Sequence, residues 1–180
     1  MNRNPNVICF TWHDAGDWFG CYGNSHVDTP HVDRLAREGV RFADNQSACA
    51  ICSPSRAAIA TGRFCQANGV MALTNSPFDN RIHPHLPHLA RRFRDLGYRT
   101  ALFGVQHEAA HEHVPSVMAY DEEYATDPWP HAGLLQAYVG DWIRAQTGKD
   151  RPFFAQMGTI DAHLNRFYSG RFAGSFAKGL

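Results

Sequence analysis

Three short runs rich in β-branched and aromatic residues limit what this chain can fold into more than any other feature. They are Val7 to Trp12, Arg99 to Phe103 and Pro152 to Met157. None alternates polar with apolar residues, so none reads as a strand with one wet face. Each predicts a strand buried on both faces, the pattern of a parallel sheet. Between them lie stretches with helical signals. In "DTPHVDRLAREGVRF", Thr29 suits an N-cap and Pro30 the first helical position, while Val32, Leu35 and Ala36 share a face and Gly39 closes the helix. Val40 to Phe42 reads as a short strand after it. In "HLPHLARRFRDLGY", Leu89, Phe93 and Leu96 share a face and Gly97 stops the helix. "HAGLLQAYVGDWIRAQTG" carries Leu135, Val139, Trp142 and Ile143 on one stripe. Strands alternating with helices predict an α/β fold with a largely parallel sheet flanked by helices.

The expected sheet carries polar chemistry at one edge. His13 and Asp14 follow the first strand, His107 the second, and Asp161 and His163 the third. Parallel α/β sheets take their ligands at the C-terminal ends of the strands, so these clusters mark the candidate site. At 180 residues, 44% hydrophobic and 12% aromatic, the chain is long enough to bury a core as one domain or as part of a larger one. Seventeen basic residues cancel seventeen acidic ones, which leaves no field to draw in nucleic acid or an anionic membrane. The apolar run at Val7 is too short for a signal-peptide core or a membrane span. A cytoplasmic chain is therefore expected, or a periplasmic or secreted one if a leader has been removed. Five irregularly spaced cysteines fit reduced thiols better than a disulfide framework.

The stretch "ICSPSRAAIATGR", residues 51–63, concentrates further chemistry. Ser53 can cap a helix with Pro54 at its first position, running to Thr61 and stopped by Gly62. Cys52 then lies just ahead of a helix N-terminus, where unpaired N–H groups and the dipole favour an anion. That anion is either the Cys52 thiolate or a bound oxyanion, and Arg56, one turn on, can point its planar fork at the same place. The plain alternative is a buried cysteine beside a cap, since free cysteines are mostly buried.

The run Cys52-Ser53-Pro54-Ser55-Arg56 with Thr61-Gly62-Arg63 resembles the signature of type I sulfatases, within the alkaline-phosphatase-like superfamily. "HDAGDWFGCYG", "TPHVDRLAREGVRF", "GYRTALFGVQH" and "RPFFAQMGTIDAH" match that family in order, and "QANGV" with the last of these looks most like its heparan N-sulfatase (sulfamidase) branch. The resemblance implies a hydrolase of sulfate esters or N-sulfates. Its catalytic group would be formylglycine, made from Cys52 by a formylglycine-generating maturation enzyme that reads Cys-x-Pro-x-Arg. Carried over by position, Arg56 would stabilise that group and His107 would assist proton removal from its hydrate. His163 would contact the sulfate and protonate the leaving group. Asp14 would bind a divalent metal, with His13 and the modified Cys52 as further ligands. Calcium is the metal implied, while His13, standing where many members have an aspartate, suits manganese or zinc as well. The implied partner is a sulfated small molecule or saccharide, with no role for nucleic acid or a membrane.

Two departures bear on this. The lysine that grips sulfate in the family falls at Val105, and nothing after His163 resembles the family's later metal ligands or its C-terminal subdomain. Residues 1–180 are therefore expected to be the N-terminal part of a sulfatase catalytic domain, incomplete at the C-terminus, with sheet surface left uncovered. Alternative functions are a phosphonate or phosphate-ester hydrolase of the same superfamily, which can share Cys-x-Pro-x-Arg, and a catalytically inert truncated fragment. A further pattern, His107-Glu108-Ala109-Ala110-His111, fits the zinc-protease motif His-Glu-x-x-His, but it follows a strand directly and Pro115 leaves little room for the helix it needs. His83, His85 and His88, set among prolines, read as surface residues.

Overall fold

The computed structural model describes residues 4–74, 77, 80–110, 113, 117–124 and 132–160. Its strands are β1 (Val7–Thr11), β2 (Arg99–Gly104), β3 (Glu122–Tyr124) and β4 (Phe153–Gly158). All pair in parallel in one sheet of order β1-β4-β2-β3. The helices are α1 (Pro30–Glu38), α2 (Cys52–Thr61), α3 (Cys65–Asn68), α4 (Leu89–Asp95) and α5 (Ala132–Gln146), with a 3-10 turn at Gly20–Tyr22. Parallel neighbours need long crossovers, and the alternation of strands with helices supplies them.

The core lies on both faces of the two central strands. On one face α4 brings Phe93 flat against Phe154, with ring centroids 4.4 Å apart, and Tyr98, Leu102 and Met118 complete the layer. On the other, Phe103 stacks on Tyr124 at 5.0 Å and meets the edge of Trp142 from α5 at 5.6 Å. Burying each of these large side chains contributes about 1.5–3 kcal/mol before entropy is counted. Every residue of β4 is buried, as the continuous apolar run predicts.

Several local expectations are corrected. β1 is an edge strand rather than a strand covered on both sides. Its Val7 and Cys9 pack on the α4 layer, whereas Ile8 and Phe10, on the α5 side, remain 47% and 39% exposed. The α5 layer covers β2 and β4 and stops short of β1. Val40 to Phe42 forms no strand; Val40 and Phe42 face outward, and three residues with no paired strand among the described residues cannot hold one. Leu96 is exposed because α4 ends at Asp95, and Tyr98 takes the core position beside Phe93. Leu35 on α1 is likewise exposed. The short strand β3 had no signal, because "EEY" holds too few apolar residues to show a period. Pro30 does start α1, but the Thr29 hydroxyl turns away from the helix start: it accepts from the Gly20 amide at 2.9 Å and donates to Asp33 at 3.1 Å. Among the described residues no helix is long and apolar enough to cross a membrane.

Candidate active site

Register places the candidate site. Thr11, Gly158 and Gly104, the last residues of β1, β4 and β2, are cross-strand partners in one row. The segments that leave the strands therefore start at a common level, with His13 and Asp14 after β1 and Val105 to His107 after β2. Arg56 reaches this row from α2. Its Nη1 donates to Thr11 Oγ1 at 2.9 Å and to the Val105 carbonyl at 3.3 Å, and the Thr11 hydroxyl passes the bond on to the Met157 carbonyl at 3.2 Å. Gly158 is needed for the approach. A Cβ there would run into the Val105 carbonyl oxygen and sit 3.2 Å from Arg56 Nη1.

Helix α2 begins two residues earlier than its sequence signals predict. Ile51, in extended conformation, takes the N-cap position, so Cys52 lies in the first turn instead of just ahead of it. Ser53 makes no side-chain cap and is buried. Pro54 is tolerated because the first-turn amides have no helical acceptor. Gly62, at φ 66°, closes the helix in the left-handed conformation that glycine allows. Cys52 is part-exposed while Arg56 is only 6% exposed, so the helix offers its thiol at the surface over a buried cation. Burial pulls the Arg56 guanidinium below its ordinary pKa, and the charges of Glu108, Cys52, Cys9 and Asp14 act in the opposite sense. Guanidinium still keeps its proton. All five cysteines are free thiols, as expected; burial first, and then Glu108, raises the Cys9 pKa, with Arg56 opposing.

His13 is buried at 2% exposure and meets the His107 ring edge-on, with centroids 5.0 Å apart. Asp14 is exposed. Asp14 and His107 both adopt left-handed backbone conformations, at φ 50° and 56°. Non-glycine residues in that region cost about 1–3 kcal/mol each, and such strain gathers where side chains must be aimed. The structure thus brings Cys52, Arg56, His13, Asp14 and His107 to one edge of the sheet. It does not join His13, Asp14 and Cys52 into a metal centre: no group of three or more His, Cys, Asp or Glu among the described residues is arranged to hold a metal ion. One carboxylate falls short of the six to eight oxygen ligands a hard dication such as calcium requires, so these residues do not fit one by themselves. Asp161, His163 and His111 lie outside the described residues. Val105, at the family's lysine position, is buried and offers its carbonyl to Arg56.

Four residues that matter here escaped the sequence reading. Thr11 and Gly158 carry no sequence mark of their own; the Arg56 contact reveals them. His88 and Glu108 were read as a surface histidine and as part of a zinc-protease pattern. Both are buried and hydrogen-bonded to each other at 2.9 Å. His107 to Ala110 is not helical, so the zinc-protease geometry is not formed there. His83 and His85 are exposed as expected.

The sulfatase family model matches residues 5–179. A mouse (Mus musculus) steryl-sulfatase is 38% identical over 112 residues, which covers 58% of this chain and 18% of that protein. Human (Homo sapiens) N-sulphoglucosamine sulphohydrolase is 29% identical over 161 residues, covering 89% of this chain and 32% of that protein. The chain thus spans less than a third of the length of either relative. A solved structure from work on a Bacteroides thetaiotaomicron locus for glycosaminoglycan metabolism superposes with a TM-score of 0.75 at 23% identity, over 97% of this chain and 54% of that one.

Proposed function

The chain belongs to the sulfatase family, and on that premise we propose that its strand-end site hydrolyses sulfate esters or N-sulfates, with Cys52 converted to formylglycine. The observation that carries this is the placement of Cys52. It sits in the first turn of α2, one helical turn before a buried arginine that is hydrogen-bonded to Thr11 at the end of β1 and to the Val105 carbonyl just past β2.

The hydrate of an aldehyde at residue 52 supplies two hydroxyls, one to displace the alcohol or amine at sulfur and one whose deprotonation lets sulfate depart. The residues of the chain do the rest. Arg56 and the α2 amides set positive charge beneath the position where oxyanion charge grows. His107, backed by His13, is the base for the second hydroxyl. His163 is the matching acid for the leaving group. The family implies a divalent metal, and Asp14 is the oxygen donor this chain offers toward one. The substrate class is a sulfated small molecule or saccharide, as the resemblance to sulphoglucosamine sulphohydrolase supports. The maturation enzyme that reads Cys52 to Arg56 is the implied protein partner.

The test is a panel of matched substrates offered to the chain after co-production with a formylglycine-generating enzyme. An aryl sulfate, an N-sulfated glucosamine and an aryl phosphonate monoester separate the readings. Turnover of either sulfated compound, lost in Cys52→Ala, is expected. Turnover of the phosphonate alone would replace this proposal with a phosphonate hydrolase, and no turnover by chain carrying the aldehyde would mark an inert fragment.

A further inference from the structure

Glu108 is buried to 2% exposure and follows His107 directly. We propose that Glu108 is a positioning residue for His107, and that His88 and Gln156 lock it in that role. What His107 is positioned for rests on the sulfatase reading above; the positioning itself rests on the geometry alone.

The hydrogen bonds leave the carboxylate one arrangement. The Ala90 amide donates to His88 Nδ1 at 3.1 Å, so the proton of the neutral imidazole lies on Nε2. From there it is donated to Glu108 Oε2 at 2.9 Å. The other oxygen, Oε1, accepts from Gln156 Nε2 at 2.9 Å, and Gln156 Oε1 accepts from the Tyr120 hydroxyl at 2.8 Å. Every member has its partner, and the chain of bonds joins the start of α4, the loop after β2, the central strand β4 and the segment before β3. Buried networks satisfied in this way are rigid.

Glu108 is also fixed at its backbone. Gln106 Oε1 accepts from the Glu108 and Ala109 amides at 2.7 and 3.0 Å, while Gln106 Nε2 donates to the Ala109 carbonyl at 2.7 Å. His107 is thus held between a residue that clamps the loop and a residue anchored in the core. That constraint accounts for its left-handed φ of 56° and directs its ring to His13. Stability alone does not call for a carboxylate here. A buried charge is costly, its partner at hydrogen-bond distance is a neutral histidine while the buried Arg56 guanidinium acts on it only through space, and well-packed apolar side chains often hold a core as well or better. The network gives instead a single geometry to the loop that presents His107.

The test is nuclear magnetic resonance of the full chain labelled with 15N-histidine, with the His107 ring signal assigned through His107→Ala. Glu108→Gln sets an amide donor against the donors of His88 and Gln156. It is expected to move the His107 ring signal by more than a line width and to abolish the slowly exchanging Nε2 proton of His88. The double variant Glu108→Gln/Gln156→Glu returns an acceptor to His88, a donor between the two side chains and an acceptor to Tyr120, and is expected to restore both signals. A folded Glu108→Gln variant with an unmoved His107 signal would overturn the proposal. So would a double variant in which that signal stays displaced, and this second reading decides the matter if the single variant does not fold. None of these signals requires the aldehyde at residue 52, so failure of the sulfatase reading and failure of the positioning proposal are separately visible.

Discussion

Arg56 Nη1 donates to Thr11 Oγ1 at 2.9 Å, a bond that fixes the helix bearing Cys52 to the last residue of the edge strand, 45 positions away in sequence. The arginine of the cysteine signature is therefore a structural rivet as well as a cation under the candidate nucleophile. Thr11→Val keeps the shape and removes the acceptor. The variant is expected to lose about 1–3 kcal/mol, because a buried donor on a charged group is left, among the described residues, with the Val105 carbonyl alone. Urea unfolding measures this, and a midpoint equal to that of the parent chain would show that the bond carries no weight.

At Gly158 the end of β4 lies close against both the Val105 carbonyl just past β2 and the Arg56 guanidinium. Gly158→Ala places a methyl group against the Val105 carbonyl and beside Arg56 Nη1. The strands must part or the arginine must withdraw, at a cost of about 1–3 kcal/mol for overpacking. Thermal unfolding is expected to show a clear drop in Tm. An unchanged Tm would mean that the strand ends are looser than they stand here.

The two sides of the sheet differ in what truncation removes. Phe154→Ala, in the stacked pair with Phe93, is expected to cost about 3–5 kcal/mol. Ile8→Ala, half-exposed on the uncovered side of β1, is expected to stay within about 0.5 kcal/mol. Equal losses at the two sites, measured by urea unfolding, would contradict the one-sided edge strand.

Glu122 gives an acid dependence of definite sign. Burial raises its pKa, but hydrogen bonds from Arg99 and the Tyr124 hydroxyl outweigh that and hold the carboxyl below its usual range. The folded pKa lies below the unfolded one, so the stabilisation is present above about pH 4.3 and disappears as pH falls through the folded value. Glu122→Gln is expected to be less stable than the parent chain at neutral pH, with the gap closing in acid. A gap that stays constant from pH 7 down to about pH 3 would show that the ion pair is not the cause.

Much of this was legible in the sequence where period and punctuation agreed. β2 and β4 announced themselves as apolar runs too short for helices, and Pro30 and Gly62 marked real helix ends. The candidate residues at the strand ends followed from the parallel-sheet rule, and register then placed Thr11, Gly104 and Gly158 in one row. What stayed hidden was tertiary. Whether β1 is covered depends on the reach of α5, which no local pattern in "VICFTW" records. His88 looked like a loop histidine because prolines surround it, yet its partner Glu108 lies 20 residues on and draws it inside. Glu108 itself was masked by a chance match to a zinc-protease motif, whose helix does not form. Val40 to Phe42 misled because two apolar residues flanking Arg41 are too few to show a period.

The central claim is that Cys52 is processed as a sulfatase cysteine, and mass spectrometry of the tryptic peptide Phe42 to Arg56 tests it most directly. The chain would be purified from cells that hold formylglycine-generating machinery. The peptide is predicted to carry an aldehyde at residue 52, trapped as a hydrazone by a hydrazide probe, and the aldehyde is predicted to vanish in Cys52→Ala. An unmodified thiol throughout, in cells that convert a control sulfatase, would contradict the account and leave Cys52 as a thiol at a helix start.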